Sequence, residues 1–384
     1  MKFSTKPLSD DCGTLYYWGK VTPVGITGAI ESSCTISPTC FSEGGNTVTY
    51  ATNSYYNMYL VLSNNTLCEF VLKKETITPC IPNIKYVKQI SCGNTFILAL
   101  TQLGQIYGWG ESKCGALGQG VDDQTLKEPT SINFKEELGL EIATSDNICV
   151  ALTKGESSNK VYIWGSCPEI ELKTTIREGY CLKNLLRPTK VPDEDTKGNV
   201  EHIYTCSSAI FLRCKNNDVL PIGIGLNGCL GIGPGIKTDS LLLPSIKIAF
   251  PCKAPYKIIS FSCGFDHCLA LLEDAESKKH IYGWGNNEYH KCIPLPMKGK
   301  KFYSPTEFVS TLDLVDVQCG TFHTMLMNKA GEIYAYGYSA SGVLGVTSNM
   351  DGIIGIPTQV CKNIKGKSVV KMMACKTNSY AIIN

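Results

Sequence analysis

One stretch recurs along the chain, and it restricts the possible folds more than any other feature of the sequence. It reads Ile90-Ser91-Cys92-Gly93-Asn94-Thr95-Phe96, continues through an aliphatic run to Thr101, turns at Leu103-Gly104, and ends in Ile106-Tyr107-Gly108-Trp109-Gly110. Cys263-Gly264-Phe265-Asp266-His267 leads in the same way to Ile281-Tyr282-Gly283-Trp284-Gly285. Cys319-Gly320-Thr321-Phe322-His323 leads to Ile333-Tyr334-Ala335-Tyr336-Gly337. Each apolar run is short for a helix, and a glycine turn joins it to the next, which is the pattern of a β-hairpin. A single hairpin cannot bury its own apolar faces, so repeated hairpins fold by stacking on one another.

The small anchor residue that opens each repeat falls at Ser54, Cys92, Thr144, Cys206, Cys263, Cys319 and Cys375. A spacing near about 50 residues with strand-type content predicts propeller blades rather than a helical solenoid. The aromatic strand agrees. All four tryptophans, Trp18, Trp109, Trp164 and Trp284, occupy one repeat position, and Tyr336 stands in for a fifth. A glycine follows each, and a second lies eight residues on in three repeats: Gly110 to Gly118, Gly223 to Gly231, Gly337 to Gly345. The two ends are each half a repeat. Thr14-Leu15-Tyr16-Tyr17-Trp18-Gly19 has no anchor before it, and the stretch 369–383 has no Trp-Gly after it. Together they complete one blade and hide the last strand edges. The expectation is an all-β, seven-bladed β-propeller forming a single domain over 1–384. Its blades fall at about 368–384 with 1–43, then 44–83, 84–137, 138–198, 199–255, 256–312 and 313–367.

Composition excludes several classes. With 43% hydrophobic and 18% charged residues the chain is an ordinary globular one, and its net charge of +2 gives no pull toward nucleic acid. No apolar run approaches the roughly 20 residues that span a bilayer, and the first eleven residues lack a signal-peptide core, so the expected setting is cytoplasmic or nuclear. Twenty cysteines without an export signal are expected to be reduced, the repeated ones acting as compact buried residues. No Cys-x-x-Cys pair occurs, and neither Cys263/Cys268 nor His290/Cys292 supplies four ligands, so no metal is expected.

Small-small-Gly-x-x-His, an aliphatic strand, a glycine turn, Tyr-x-Trp-Gly and Gly-x-Leu-Gly together resemble the regulator of chromosome condensation repeat family over essentially the whole chain. Gln318-Cys319-Gly320-Thr321-Phe322-His323 and Ser262-Cys263-Gly264-Phe265-Asp266-His267 come nearest to its signature. Phe96 stands where a histidine belongs, and four repeats lack the anchor glycine. The resemblance implies a seven-bladed propeller. Founding members are exchange factors for Ran-type small GTPases and bind chromatin, while others are scaffolds in signalling or ubiquitin-ligase assemblies. Chromatin is the weaker expectation, since only Lys2 and Lys6 precede Asp10 and Asp11.

Nothing in the sequence calls for covalent chemistry, a cofactor or a small-molecule substrate. Gly223-Ile224-Gly225-Leu226-Asn227-Gly228 fits a dinucleotide loop, but the following Cys229-Leu230-Gly231-Ile232-Gly233-Pro234 cannot form the helix such a loop needs. His267 and His323 share one repeat position without a nucleophile pattern, so a structural hydrogen-bonding role is expected, alongside Cys92, Gly93, Trp109, Gly110, Trp164, Cys263, Gly264, Trp284, Cys319 and Gly320. Function then lies in loops that meet a protein partner. The stretch 166–199 departs from the repeat as a long charged excursion, and its Glu169, Glu171, Arg177, Asp193, Glu194 and Asp195 are the expected contacts, helped by Asp122 and Asp123. The lysines between Lys362 and Lys376 read as edge protection.

Overall fold

The computed structural model describes residues 14–19, 39–41, 48–54, 57–71, 76–78, 81, 84–134, 137–165, 185–196, 200–223, 226–234, 246–339, 342–346, 352–360, 369–375 and 378–383. In chain order the first strands are β1 (Thr14–Gly19), β2 (Thr39–Phe41), β3 (Val48–Asn53), β4 (Asn57–Leu62), β5 (Leu67–Val71) and β6 (Thr76–Thr78). Next come β7 (Val87–Cys92), β8 (Phe96–Thr101), β9 (Ile106–Ser112), β10 (Gln124–Ile132), β11 (Leu138–Thr144), β12 (Ile148–Lys154), β13 (Asn159–Gly165) and β14 (Leu185–Lys190). A single turn of helix, α1 (Asp193–Thr196), precedes β15 (Val200–Thr205), β16 (Ala209–Cys214) and β17 (Val219–Gly223). The remainder are β18 (Tyr256–Cys263), β19 (His267–Asp274), β20 (Lys279–Asn286), β21 (Lys301–Phe308), β22 (Leu314–Cys319), β23 (His323–Asn328), β24 (Ile333–Tyr338), β25 (Ile353–Val360), β26 (Val369–Ala374) and β27 (Asn378–Ile383).

These strands build six four-stranded sheets and one three-stranded sheet among the described residues. Five of the four-stranded sheets take their strands consecutively, as antiparallel meanders. The sixth has the order β2-β1-β27-β26 and draws on both ends of the chain. There Thr14 faces Ile383 and Gly19 faces Asn378 in register.

Contacts group the chain into two compact units. One comprises Pro82–Phe250 with Tyr303–Pro305, the other Met1–Ile81, Pro251–Phe302 and Thr306–Asn384. In the first, Phe96, Leu98 and Leu100 of β8 pack with Ile142, Ala151, Tyr162 and Trp164, while Ile148, Val150 and Leu152 on the other face of β12 meet Ile203, Ile210 and Leu212. Every side chain of β8 is buried, as are all but the last in β12, because a sheet covers each face. In the second unit, Met58 and Leu60 meet Met373, Tyr380 and Ile382, and Leu326 with Tyr336 meets Leu269 and Ile281.

Polar groups on first strands tie neighbouring sheets together. The Ser91 hydroxyl accepts from Thr144 N at 2.9 Å, and Ser262 does the same for Cys319 N at 2.9 Å. The side chain of Gln89 both donates to Ile142 O and accepts from Ile142 N. A small hydroxyl before the anchor is therefore a clamp on the next sheet.

The excursion expected over 166–199 is only partly one. Residues 185–190 form β14, the fourth strand of its sheet, paired to β13 with Tyr162 facing Lys190, and α1 follows. Fourth strands carry a shared mark: Pro129-Thr130, Pro188-Thr189, Pro305-Thr306 and Pro357-Thr358. Proline is tolerated there because an edge strand needs only one row of ladder hydrogen bonds. Thr130, Thr189 and Thr358 each donate a hydroxyl to the carbonyl just before the proline, at Glu128, Arg187 and Ile356, with lengths of 3.2, 3.1 and 3.1 Å.

Candidate interaction surfaces

Between first and second strands, one backbone hydrogen bond recurs. It runs from Gly93 N to Phe96 O, Gly264 N to His267 O and Gly320 N to His323 O. The same bond runs from Ser54 N to Asn57 O, Ser145 N to Ile148 O, Cys206 N to Ala209 O and Cys375 N to Asn378 O. The expected alignment of anchors is thus off by one residue at three sites. Ser54, Cys206 and Cys375 occupy the glycine position, not that of Cys92, Thr144, Cys263 and Cys319. Two of the anchor cysteines, Cys263 and Cys375, are half-buried rather than buried.

This explains why some repeats lack the glycine. A Cβ at Gly93 would lie 2.0 Å from the Phe96 ring, at Gly264 2.7 Å from His267 Cε1, and at Gly320 2.1 Å from His323 Cε1. Where Asn57, Ile148, Ala209 or Asn378 replaces the ring, the position holds serine or cysteine. The glycine after the aromatic strand is constrained differently. Gly285 and Gly337 have φ of 101° and 116°, and a Cβ there would press on the Asp266 and Phe322 carbonyls, each at 2.5 Å.

His267 and His323 are fully buried within this frame. The Thr324 hydroxyl donates to Lys291 O at 2.6 Å, so its contact with His267 Nε2 at 3.0 Å is donated by the imidazole. Likewise Ser379 donates to Val343 O at 2.8 Å and accepts from His323 Nε2 at 2.9 Å. Burial, then the Lys291 ammonium and His323, push His267 well below the usual histidine range, and burial pushes His323 down to about 3. Both rings stay neutral. Trp164 donates its Nε1–H to Ala116 O at 2.8 Å, and Tyr336 its hydroxyl to Cys292 O at 3.1 Å, each reaching the preceding sheet. Trp109, Trp164 and Trp284 are buried. The later glycines close one turn three times over, from Gly118 N to Gly115 O, Gly231 N to Gly228 O and Gly345 N to Gly342 O.

The expected partner-binding residues separate. Glu169, Glu171 and Arg177 lie outside the described residues, as do the side chains of Trp18, Glu194 and Asp195 and most of the 362–376 stretch. Asp193 is described and already engaged: its carboxylate meets Lys160 Nζ at 2.8 Å and Lys190 Nζ at 3.1 Å. Those partners, Lys160 first, hold it below the usual carboxylate range. Asp193 therefore fastens α1 to β13 and β14. Asp122 and Asp123 are exposed. Their turn is fixed to the same sheet, since Gly120 N donates to Leu186 O and Gly115 N to Asp122 O, both at 2.8 Å. Burial, then Asp122 and Asp123, raise the nearby Cys114 thiol.

A second surface has no counterpart in the expectations. Phe265 and Phe322, in the β18–β19 and β22–β23 turns, are 41% and 42% exposed. Tyr289 stacks on Tyr338 with centroids 4.6 Å apart and meets Phe322 edge-on at 6.1 Å. Beneath them the Lys291 ammonium lies 5.2 Å from the Phe322 centroid and 2.6 Å from the buried Asp266 carboxylate. The residues between glycine and histidine carried the signal, because large aromatics stand there at an exposed turn.

Repeated antiparallel sheets, several of them tied to a neighbour by aromatic and histidine side chains, make this protein an all-β propeller. Its fold matches Prp20p from Saccharomyces cerevisiae, a protein studied for binding to Gsp1p and histones, with a TM-score of 0.77 and 16% identity over 98% of this chain and 92% of that one. The profile of the regulator of chromosome condensation (RCC1) repeat matches residues 87–116 and 258–291. The chain is 25% identical to protein pim1 of Schizosaccharomyces pombe over 71% of this chain, and spans 50% of that relative's length. It is 25% identical to the regulator of chromosome condensation of Mus musculus over 79% of this chain and 71% of the relative.

Proposed function

We propose that this RCC1-like propeller is one domain over 1–384, its sheets arranged as seven blades, and that it acts in the nucleus or cytoplasm as an exchange factor for a Ran-type small GTPase. The pairing of β1 with β27 supports closure by both ends. The observation that carries the functional reading is where the reactive side chains are spent. His267 and His323 are neutral and committed to Thr324 and Ser379, so the exposed turns are left to do the work. A rigid acidic turn at Asp122 and Asp123 suits a basic protein surface, and the exposed aromatics suit an interface core. Exchange requires tighter binding to the nucleotide-free GTPase than to the loaded form, because only differential affinity shifts release.

The test is release of a fluorescent GDP analogue from a panel of small GTPases. Acceleration is expected, with a reduction of roughly tenfold or more in the Asp122→Lys, Asp123→Lys double variant. No acceleration across the panel removes the exchange reading. One observation favours a non-catalytic scaffold as the second reading: Asp193, in the stretch expected to press on a partner, is held by Lys160 and Lys190.

A further inference from the structure

We propose that Cys263 and Cys268 are a peroxide-responsive thiol pair that closes into a cross-strand disulfide. Cys263 ends β18 and Cys268 is the second residue of β19, and the two are register partners. The bond from Gly264 N to His267 O makes 264/267 the hydrogen-bonded pair, so 263/268 is the adjoining non-hydrogen-bonded pair. In such pairs the Cα atoms approach to about 4.5 Å and the side chains lie on one face, within the range a disulfide bridges. The two sulfurs are 3.2 Å apart, and closing to about 2.05 Å needs only a small side-chain rotation.

The repeat makes this pair stand out. At the same register the other sheets hold Cys92 with Ile97, Thr144 with Cys149, Thr205 with Ile210, Cys319 with Thr324, Asn53 with Met58 and Ala374 with Ser379. Among the described residues this sheet alone places a thiol on both strands. Cys263 is half-buried and Cys268 buried, which orders the chemistry. The Cys263 thiolate attacks hydrogen peroxide, breaking the O–O bond to give a sulfenic acid and a hydroxide that, with one proton, leaves as water. The Cys268 sulfur then attacks the sulfenic sulfur, its proton leaving with the hydroxyl as a second water. Two thiols are oxidised and one hydrogen peroxide is reduced. Neighbouring Cys319 and Cys292 are fully buried, and burial raises both thiols, so they are poor competitors. The link would cinch the base of the turn that presents Phe265 and holds Asp266 against Lys291.

The experiment treats the reduced full chain with graded hydrogen peroxide, alkylates the remaining thiols and digests with trypsin. The peptide 258–278 holds these two cysteines and no others. Expected is a form of this peptide lighter by two hydrogens and carrying no alkyl group, formed before the half-buried Cys114 and Cys252 lose theirs. In Cys268→Ser the peptide should instead trap a sulfenic acid at Cys263, captured by dimedone. A link from Cys263 to Cys319 overturns the proposal. So does over-oxidation of Cys263 with Cys268 still alkylated, or a fully reduced peptide once Cys114 and Cys252 have reacted.

Discussion

Neutral, buried imidazoles give the protein a built-in acid sensitivity. An unfolded histidine takes up a proton near pH 6.5, whereas His323 in the fold does so only near 3. Between those values the unfolded chain binds more protons, so the stability present above pH 6.5 is lost as the pH falls toward about 3. Phe96 shows that an aromatic ring fills this position without titrating. The melting temperature of His323→Phe is accordingly expected to vary less than that of the parent between pH 6.5 and about 4; equal slopes would show that the ring is not the titrating group. The tryptophans divide cost from role in a similar way. Trp164→Phe keeps most of the ring but gives up the bond to Ala116, a loss of about 1 kcal/mol by urea unfolding. Trp164→Ala and Trp284→Ala leave a cavity as well and are expected to cost about 3–5 kcal/mol. Similar values for Trp164→Phe and Trp164→Ala would mean that the bond, not the packing, holds the ring.

The strands show what the sequence makes legible and why. Tyr-x-Trp-Gly and the aliphatic second strands stand out because they are buried on both faces, which narrows the residues they accept. The fourth strands are edges with one row of ladder bonds and a half-exposed face, so their sequences wander. β14 was hidden inside a charged segment for that reason, and Arg187-Pro188-Thr189 was its only mark. The one-residue slip at Ser54, Cys206 and Cys375 has a different cause. Serine and cysteine are small enough for either of two adjacent positions, and only the hydrogen bond to the residue three along distinguishes them. The terminal sheet carries its own prediction. Removing 369–384 takes away β26 and β27, bares β1, and strips Met373, Tyr380 and Ile382 from Val48, Met58 and Leu60. The truncated chain is expected to aggregate and to lose a single cooperative melt. A melt at the full-length temperature would show that the terminal pairing is dispensable.

At the scale of the molecule, the repeats specify the fold densely and the partner hardly at all. The residues that define a repeat, His323 or Trp164 for example, are those buried between sheets. Those that would meet a partner, Asp122 or Phe322, occupy turn positions the fold leaves open. The register also frees the chain from its own connectivity. Thr14 faces Ile383 across one pair of strands, and Gly165 faces Leu185 across another. Where the chain is cut and where it is joined therefore matter less than which strands lie side by side. A circular permutant opened between 166 and 184, with 383 linked to 14 by a short flexible tether, is expected to give the parent's circular dichroism and to melt within about 5 °C of it. Failure to fold would mean that the order of synthesis, and not strand neighbourhood alone, directs assembly. Such a permutant would also open the chain where Gly165 faces Leu185, close to the Asp122 turn that Gly120 fastens to Leu186, ready for a fused reporter whose signal changes when a partner docks there.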